Sequence, residues 1–252
     1  VLLVAAVLFI VSGWGSGISS SSGQFVIFRL IGGVAVGAAS IIAPAYISEI
    51  APPAIRGRLA SLQQMAIVLG LFCAFLSNFM IAESAGGASS VFWWDFQAWQ
   101  WMFWVELIPA TLFLIALFFI PESPRYLVAA GARHKAGAIL GRLGHAVDEE
   151  AAVTEIENSL ERGRRPRTTD IWDSKARRIH PIVWVGLGLA ALQQLVGINV
   201  IFYYGAVLWT AAGFSEGDAL LINVISGAVN IGSTLVAIAL VDRLGRKPLL
   251  IF

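Results

Sequence analysis

Amide side chains inside long apolar stretches are the groups in this sequence best suited to bind a small ligand. Two adjacent glutamines, Gln193 and Gln194, are followed by Gly197 and Asn199 in an otherwise apolar run. A side-chain amide offers both donors and an acceptor, so it suits the hydroxyl groups of a neutral polyhydroxylated molecule. A lone amide in a membrane helix more often bonds a neighbouring helix, for about 0.6 kcal/mol. The clustering of these amides favours a binding site for a neutral polar solute.

The position of Gly197 predicts how these amides could share one site. At 100° per residue, Gln193 and Tyr204 lie on one face of a helix, whereas Asn199 lies about 120° away. All of them can face one cavity only if the helix unwinds near Gly197. Broken helices of this kind mark midplane binding sites in transporters. Tyr203 follows in the same apolar stretch, and further amides lie in other apolar stretches: Gln63, Gln64, Asn78, Asn223 and Asn230.

Two ionisable residues, Arg29 and Glu106, also fall within apolar stretches. Ionisable groups at membrane depth cost at least ~2.5 kcal/mol each, so they usually pair with one another or line a cavity. A buried ion pair that fixes helix packing and a functional pair fit the sequence equally well. Gly33, Gly37 and Ser40 continue the helix face of Arg29, and such small residues predict the close approach of a neighbouring helix.

The sequence shows no catalytic or metal-binding pattern. The stretch from Gly186 to Ala191 fits the dinucleotide pattern G-x-G-x-x-A, but it lacks a preceding strand and a later acidic residue. No Walker A sequence is present. The histidines His134, His145 and His180 lack the spacing of metal ligands. We therefore expect a protein that is not an enzyme and uses no cofactor or metal.

The composition requires elements that lie in a membrane. Of the 252 residues, 58% are apolar and 13% are charged, against roughly 45–50% and about 25% in soluble domains. The mean hydropathy of +0.77 excludes a soluble enzyme, and disorder requires low hydrophobicity. The formal net charge of +1 gives no sign of a nucleic-acid partner. With a single cysteine, Cys73, the chain has no disulfide framework.

Six apolar stretches are candidates to cross a bilayer, which takes about 20 residues. They are expected to be helices, because backbone groups in lipid must bond internally. Both ends of the chain are expected to be cuts through or beside hydrophobic helices. The predicted spans are 1–18, which is truncated at its start, 25–47, 59–82, 99–120, 181–211 and 219–241.

The basic residues predict the orientation of these spans. Of 17 Lys and Arg residues, 11 lie within 125–178, three within 243–247 and two within 56–58. These three places fall on one side if the six helices alternate, and the opposite loops carry only acidic charges. Because basic loops face the cytoplasm, we expect a multi-pass protein of the cell membrane with segment 121–180 in the cytoplasm.

The polar segment 121–180 is predicted to form short surface helices. Ser123 is expected to cap a first helix that starts at Pro124 and stops near Gly131. A second helix is expected over about 132–143 and a third, acidic one over about 148–161. The charges of this segment favour a solvated face that sets the topology.

Four motifs occur in a specific order and spacing. They are the glycine-rich stretch 31–56, which ends in Arg56, then Pro121–Arg125, Gln193–Asn199 followed by Tyr203 and Tyr204, and Asp242–Lys247. Through these motifs the sequence resembles the sugar porter family of the major facilitator superfamily, most closely its bacterial xylose and glucose proton symporters. The resemblance covers nearly the whole chain and implies a fragment with helices three to eight of a twelve-helix protein.

The resemblance implies an all-α membrane fold in three parts. Residues 1–120 would belong to the N-terminal bundle as family helices three to six, and 121–180 would form the central cytoplasmic helical loop. Residues 181–252 would supply family helices seven, eight and the start of nine. The implied function is alternating-access transport of a monosaccharide, such as xylose or glucose, by proton-coupled symport. A facilitator without proton coupling and a transporter-like sugar receptor are the alternatives.

The resemblance also implies roles for individual residues. The sugar would contact the amides Gln64, Gln193, Gln194, Asn199 and Asn230, with Tyr203 flanking or gating the site. Arg29 and Glu106 match positions of proton coupling, whose acidic partner belongs to family helix one. Ion pairs that close the cytoplasmic side in the outward-facing state would be formed by Glu49, Arg56, Glu122, Arg125, Asp242, Arg243 and Arg246. The implied partners are a monosaccharide, protons and the lipid bilayer, with no nucleic acid.

Overall fold

The computed structural model describes residues 1–51, 56–142, 149–162, 172–173, 178–179 and 181–244 of the chain. The described residues form eleven α-helices and one short antiparallel pair of strands, in which Trp172 faces Ile179 and Asp173 faces Arg178. The sequence analysis did not predict this strand pair. The elements are α1 Leu2–Ile18, α2 Ser22–Ile50, α3 Arg56–Ala85, α4 Ala98–Val105, α5 Leu107–Phe119, α6 Pro124–Ala129, α7 Arg133–Arg142, α8 Glu149–Arg162, β1 Trp172–Asp173, β2 Arg178–Ile179, α9 Pro181–Leu195, α10 Ile198–Ala211 and α11 Glu216–Leu244.

Five of the six predicted spans are confirmed as helical segments long and apolar enough to cross a membrane. The first predicted span is α1, which has 17 residues and is about 25 Å long at ~1.5 Å per residue, short of the ~30 Å hydrocarbon core. The five long segments are Ser22–Ile50, Ser61–Ala85, Ala98–Phe119, Pro181–Ala211 and Glu216–Leu240.

The fourth predicted span consists of two helices, α4 and α5, rather than one. Their junction is Glu106, whose N–H donates to the carbonyl of Phe103 at 3.2 Å, as in a tight turn. Three residues later, Pro109 has no N–H to offer the carbonyl of Val105, and its ring crowds that carbonyl. The proline therefore accounts for the turn that places Glu106 between the two helices.

Small residues let α1 pack closely against its neighbours. A Cβ at Gly15 would overlap the ring of Phe28 in α2, and one at Gly17 would overlap the indole of Trp104 in α4. Ser12 and Ser16 are fully buried in this interface. Because close helix contacts in membranes depend on such residues, α1, α2 and α4 form one packed group.

No helix among the described residues packs against the Gly33 stripe, so its role in packing stays a prediction. Gly33, Gly37 and Ser40 lie on an exposed face of α2, and a Cβ at Gly33 or Gly37 would meet no atom within 4 Å. The close contact of α2 is instead at Gly32, where a Cβ would overlap Oγ of Ser12. The face that meets α1 is thus next to the face that the spacing indicated.

A second packed group consists of α3, α10 and α11. A Cβ at Gly227 in α11 would lie 3.3 Å from the rings of both Phe72 and Phe75 in α3. One turn earlier along α11, a Cβ at Gly205 in α10 would overlap Oδ1 of Asn223. This group joins a helix from the first half of the chain to two helices from the second half.

The helices predicted within 121–180 are confirmed where the structure describes them. The Oγ of Ser123 accepts the N–H of Tyr126 at 3.2 Å, so it caps α6, and Pro124 is the first residue of that helix. Gly131 follows the end of α6 with φ +80°. Helices α7 and α8 match the second and third predicted helices, although residues 143 and 148 lie outside the described ranges.

These three short helices share a hydrophobic core, which the sequence analysis did not predict. Leu127 and Val128 of α6, Leu140 of α7 and Val153 of α8 are buried together. An ion pair between Nη1 of Arg133 and Oε2 of Glu157, at 2.8 Å, joins α7 to α8. The segment is therefore a small packed unit and more than a charged surface.

Candidate functional site

The predicted break in the helix that carries the glutamine pair is present. Helix α9 ends at Leu195 and α10 begins at Ile198. Between them, Gly197 has φ +80°, a left-handed conformation that glycine adopts without steric cost. Across the break, Nδ2 of Asn199 donates to Oε1 of Gln194 at 2.7 Å. The structure thus brings two of the predicted amides into direct contact.

The other predicted amides remain apart from this pair. Gln64 and Gln193 are exposed and Asn230 is half-buried. None of these three side chains forms a hydrogen bond within the described ranges, and α9 has no buried residue. By helix rise, Gln193 lies ~18 Å along α9 and Asn230 ~21 Å along α11. Both are therefore near the middle of their spans, with their amide groups free to meet a ligand.

A small cavity lies between α3, α10 and α11, and we call it the Asn223 cavity. It has a volume of about 180 Å³. One predicted site residue, Tyr203, lines it, together with two amides to which the sequence analysis gave no role, Asn78 and Asn223. Their position inside apolar stretches was the signal that could have identified them. The complete lining is Phe75, Asn78, Phe202, Tyr203, Ala206, Val207, Leu220 and Asn223.

Arg29 and Glu106 form the pair that their membrane depth predicted. Nη1 of Arg29 lies 3.5 Å from Oε2 of Glu106, and the two side chains are 47% and 38% exposed. The guanidinium carbon of Arg29 also lies 5.5 Å from the centre of the Phe103 ring, which Phe25 meets edge-on. The turn near Pro109 thus presents the carboxylate of Glu106 to α2, where Arg29 and the aromatic ring meet it.

Two hydrogen bonds tie the end of α2 to the start of α6. Oγ of Ser123 donates to Oε2 of Glu49 at 2.5 Å, and Oη of Tyr46 donates to the carbonyl of Pro121 at 2.6 Å. Of the other predicted gating residues, Glu122 and Arg125 are exposed and form no ion pair among the residues that the structure describes. The side chains of Arg56, Asp242 and Arg243, and the whole of Arg246, lie outside the described part of the chain.

At the opposite end of the spans, Glu216 connects α11 to the loop after α3. Its Oε1 accepts the backbone N–H of Ala88 at 3.0 Å. Glu83 and Glu216 line a cavity of about 290 Å³ there, beside Gly86 and Gly87. The sequence analysis did not predict this connection, because it depends on which helices pack together.

The family of this chain follows from comparison with known proteins. A sequence model described as "Sugar (and other) transporter" matches residues 1–252, which is the whole chain. The chain belongs to this sugar transporter family. The resemblance implied by the four sequence motifs is confirmed.

Two relatives show how much of a sugar transporter the chain represents. The glucose transport protein of Synechocystis sp. is 53% identical over 251 residues, which cover 99% of this chain and 53% of that protein. The D-xylose-proton symporter of Escherichia coli is 39% identical over 266 residues, which cover 98% of this chain and 52% of that protein. The chain therefore spans about half the length of the relatives it matches, and these relatives are transporters, not enzymes.

A solved sugar transporter has the same fold. The partially occluded, inward-open conformation of the xylose transporter XylE from E. coli matches this chain with a TM-score of 0.81 and 38% sequence identity. The match covers 98% of this chain and 56% of that one. The predicted all-α fold of the major facilitator type is confirmed, and its long apolar helices make this a membrane protein.

Proposed function

We propose that this chain is part of a transporter that moves a monosaccharide across the cell membrane by alternating access, coupled to protons. The observation that carries the proposal is the contact between Gln194 and Asn199 across the break at Gly197. It places uncharged hydrogen-bonding groups near the middle of a span, where a transporter binds its substrate. The named substrates of the two relatives, glucose and D-xylose, support a hexose or a pentose.

The amides of several spans bind the hydroxyl groups of the sugar. Gln64, Gln193 and Asn230 have free donors and acceptors, and Gln194 and Asn199 have further capacity beyond their mutual bond. Tyr203 flanks the site from α10. As residues 1–120 and 181–252 rock as parts of two helix bundles, the sugar is exposed to one side of the membrane and then to the other.

Arg29 and Glu106 couple this cycle to protons. Arg29, whose guanidinium contacts Glu106 at 3.5 Å in this structure, also pairs during the cycle with the ionised acidic group that the resemblance places on family helix one. Protonation of that acidic group releases Arg29 and shifts the balance between the two conformations. The ion pair is thus the device through which a proton gradient drives uptake.

The segment 121–180 lies in the cytoplasm and connects the two bundles. Its excess of Lys and Arg supports this side. The gating residues lie at the same end of the spans, where Glu49 already bonds Ser123. In the outward-facing state, ion pairs close the path on the cytoplasmic side. They are formed among Glu49, Arg56, Glu122, Arg125, Asp242, Arg243 and Arg246.

Uptake of labelled xylose and glucose tests the proposal. Cells that produce the complete protein should accumulate one of these sugars above its external concentration, and a protonophore should abolish the accumulation. Uptake that only equilibrates and ignores the protonophore would replace symport by facilitated diffusion. Binding of the sugar without uptake would favour a receptor, and neither binding nor uptake would contradict the substrate class.

A further inference from the structure

The Asn223 cavity is lined by an amide that has no hydrogen-bond partner among the described residues. Asn223 is 8% exposed, and its side chain forms no hydrogen bond within the described ranges of the chain. The donors and acceptor of this amide are therefore available to an occupant of the cavity that can hydrogen-bond. Gly205 makes room for this amide, because a Cβ at that position would overlap Oδ1 of Asn223.

A second amide reaches the same cavity from another helix. Asn78 of α3 is half-buried and, like Asn223, has no hydrogen bond to the described part of the chain. The remaining walls are mainly apolar, and the rings of Phe75 and Phe202 stack in parallel with their centres 6.1 Å apart. Apolar walls with a few well-placed polar groups are typical of small-molecule sites.

The volume and the chemistry of the cavity suit a small polyhydroxylated ring. Pockets for drug-sized ligands measure about 300–1,000 Å³, so about 180 Å³ fits a smaller molecule. The two amides can bond hydroxyl groups, and the apolar walls can cover the C–H face of a ring. No charged side chain lines the cavity, so an uncharged ligand fits it best.

The cavity lies on the same faces of α10 and α11 as Asn199 and Asn230. We call these two predicted sugar-binding residues the deeper amides. Asn223 and Asn230 are seven residues apart, which places them on one face of α11 and about 10 Å apart along its axis. On α10, Tyr203 lies one turn beyond Asn199. A solute that leaves the deeper amides toward the Glu216 end of the spans therefore meets Tyr203, Asn78 and Asn223 next.

We propose that the Asn223 cavity is a further sugar subsite, in which Asn78 and Asn223 hydrogen-bond hydroxyl groups of the transported monosaccharide between the deeper amides and the Glu216 end of the spans. This inference rests on the proposed function, because it takes the ligand to be the same sugar. The two residues are specificity determinants in addition to those that the family resemblance implies.

Binding of deoxy sugars to the complete protein tests the subsite. The dissociation constant is measured for D-glucose or D-xylose, whichever the wild type binds more tightly, and for each monodeoxy derivative of that sugar. Asn223→Leu and Asn78→Leu should each weaken binding of the parent sugar about fivefold, the effect of one lost hydrogen bond. For each variant, one deoxy derivative should bind as tightly as it binds to the wild type, because the hydroxyl that the replaced amide contacts is already missing.

Matched controls distinguish this effect from damage to the fold. Ser226→Ala and Ser77→Ala remove hydroxyls that bond carbonyls of their own helices, and they should change every dissociation constant by less than twofold. Weakening of the parent and all deoxy sugars by one common factor would overturn the subsite, because it would indicate a structural role. A wild type that binds neither parent sugar would contradict the proposed function as well. If Asn223→Leu does not fold, Asn78→Leu still tests the subsite.

Discussion

Each amide at the break has hydrogen-bonding capacity left over. The single bond from Asn199 to Gln194 uses one donor and one acceptor site, while each carboxamide has two N–H donors and two acceptor lone pairs. A hydroxyl group can therefore join the pair without breaking it. The bond holds both side chains in one place before the sugar arrives, which lowers the entropic cost of binding.

Two adjacent glutamines in α3, Gln63 and Gln64, allow a direct test of the proposed role of Gln64 in sugar binding. Gln64→Leu should weaken sugar binding by about two- to tenfold, the range for one lost hydrogen bond. Gln63→Leu is the matched control, because it makes the same change ~100° around the helix and should alter affinity by less than twofold. Equal losses in the two variants, measured as sugar dissociation constants, would contradict the assignment of Gln64.

Two Arg–Glu pairs among the described residues make the proton-coupling hypothesis testable. Arg29→Leu should abolish accumulation of sugar against its gradient while equilibrating uptake continues, because the link to protonation is lost. Arg133→Leu breaks the pair with Glu157 outside the membrane spans and should leave accumulation intact. The measurement is the ratio of internal to external labelled sugar, and uphill accumulation by Arg29→Leu would refute the proposed role.

Among the elements, the two broken spans owe their breaks to single residues. Gly197 separates α9 from α10, and Pro109 accounts for the turn between α4 and α5. The first break was predictable from the sequence, because the amides around Gly197 can face one cavity only if the helix unwinds there. The sequence analysis did not predict the second, although Pro109 is a local signal in the sequence. Each break places a polar side chain beside a helix end within the span. Asn199 follows the break at Gly197, and Glu106 lies between α4 and α5.

Replacing Gly197 should therefore affect both stability and binding. Gly197→Ala forces a side chain into φ +80°, at a cost of roughly 1–2 kcal/mol, and should lower the melting temperature and the sugar affinity of the purified protein. In the same span, a Cβ at Gly186 would meet no atom within 4 Å, so Gly186→Ala should be neutral or slightly stabilising. Unchanged sugar affinity in Gly197→Ala would indicate that the break does not position the amides.

The features that could not be predicted from the sequence depend on contacts between helices that are distant in the chain. The spacing of Gly33 and Gly37 identified a small-residue face correctly, but it could not indicate whether another helix packs there. The Asn223 cavity was missed for the same reason, because it requires the approach of α3 to α11. Local features such as the Ser123 cap and the end of α6 near Gly131 were predictable, since they depend on only a few adjacent residues.

In the whole molecule, α3 and α11 provide the contact between the two parts of the chain. Gly227 lies against Phe72 and Phe75 at the centre of this contact, so the facing helices are close together with no side chain from Gly227 between them. Under the proposed alternating access, the two bundles move relative to each other along this contact. The smooth surface at Gly227 permits such movement.

Enlarging Gly227 should slow transport more than it weakens binding. Gly227→Leu introduces a side chain against two rings, and such overpacking costs about 1–3 kcal/mol. Where this cost falls on the proposed rocking step, sugar uptake by proteoliposomes should be roughly fivefold slower or more. Gly232→Leu is the matched control in α11, because a Cβ at Gly232 would meet no atom within 4 Å. Uptake by Gly227→Leu at the wild-type rate would show that this contact does not limit the rocking motion.

The neutral amides around Gly197 also bear on the direction of net flux. A sugar phosphate carries negative charge, and bringing that charge among uncharged amides at membrane depth without a cation is costly. Under the proposed function, the same amides accept the unmodified sugar. A kinase in the cytoplasm would therefore convert a permeant sugar into one that cannot leave, and metabolism rather than the transporter would then retain what has been taken up.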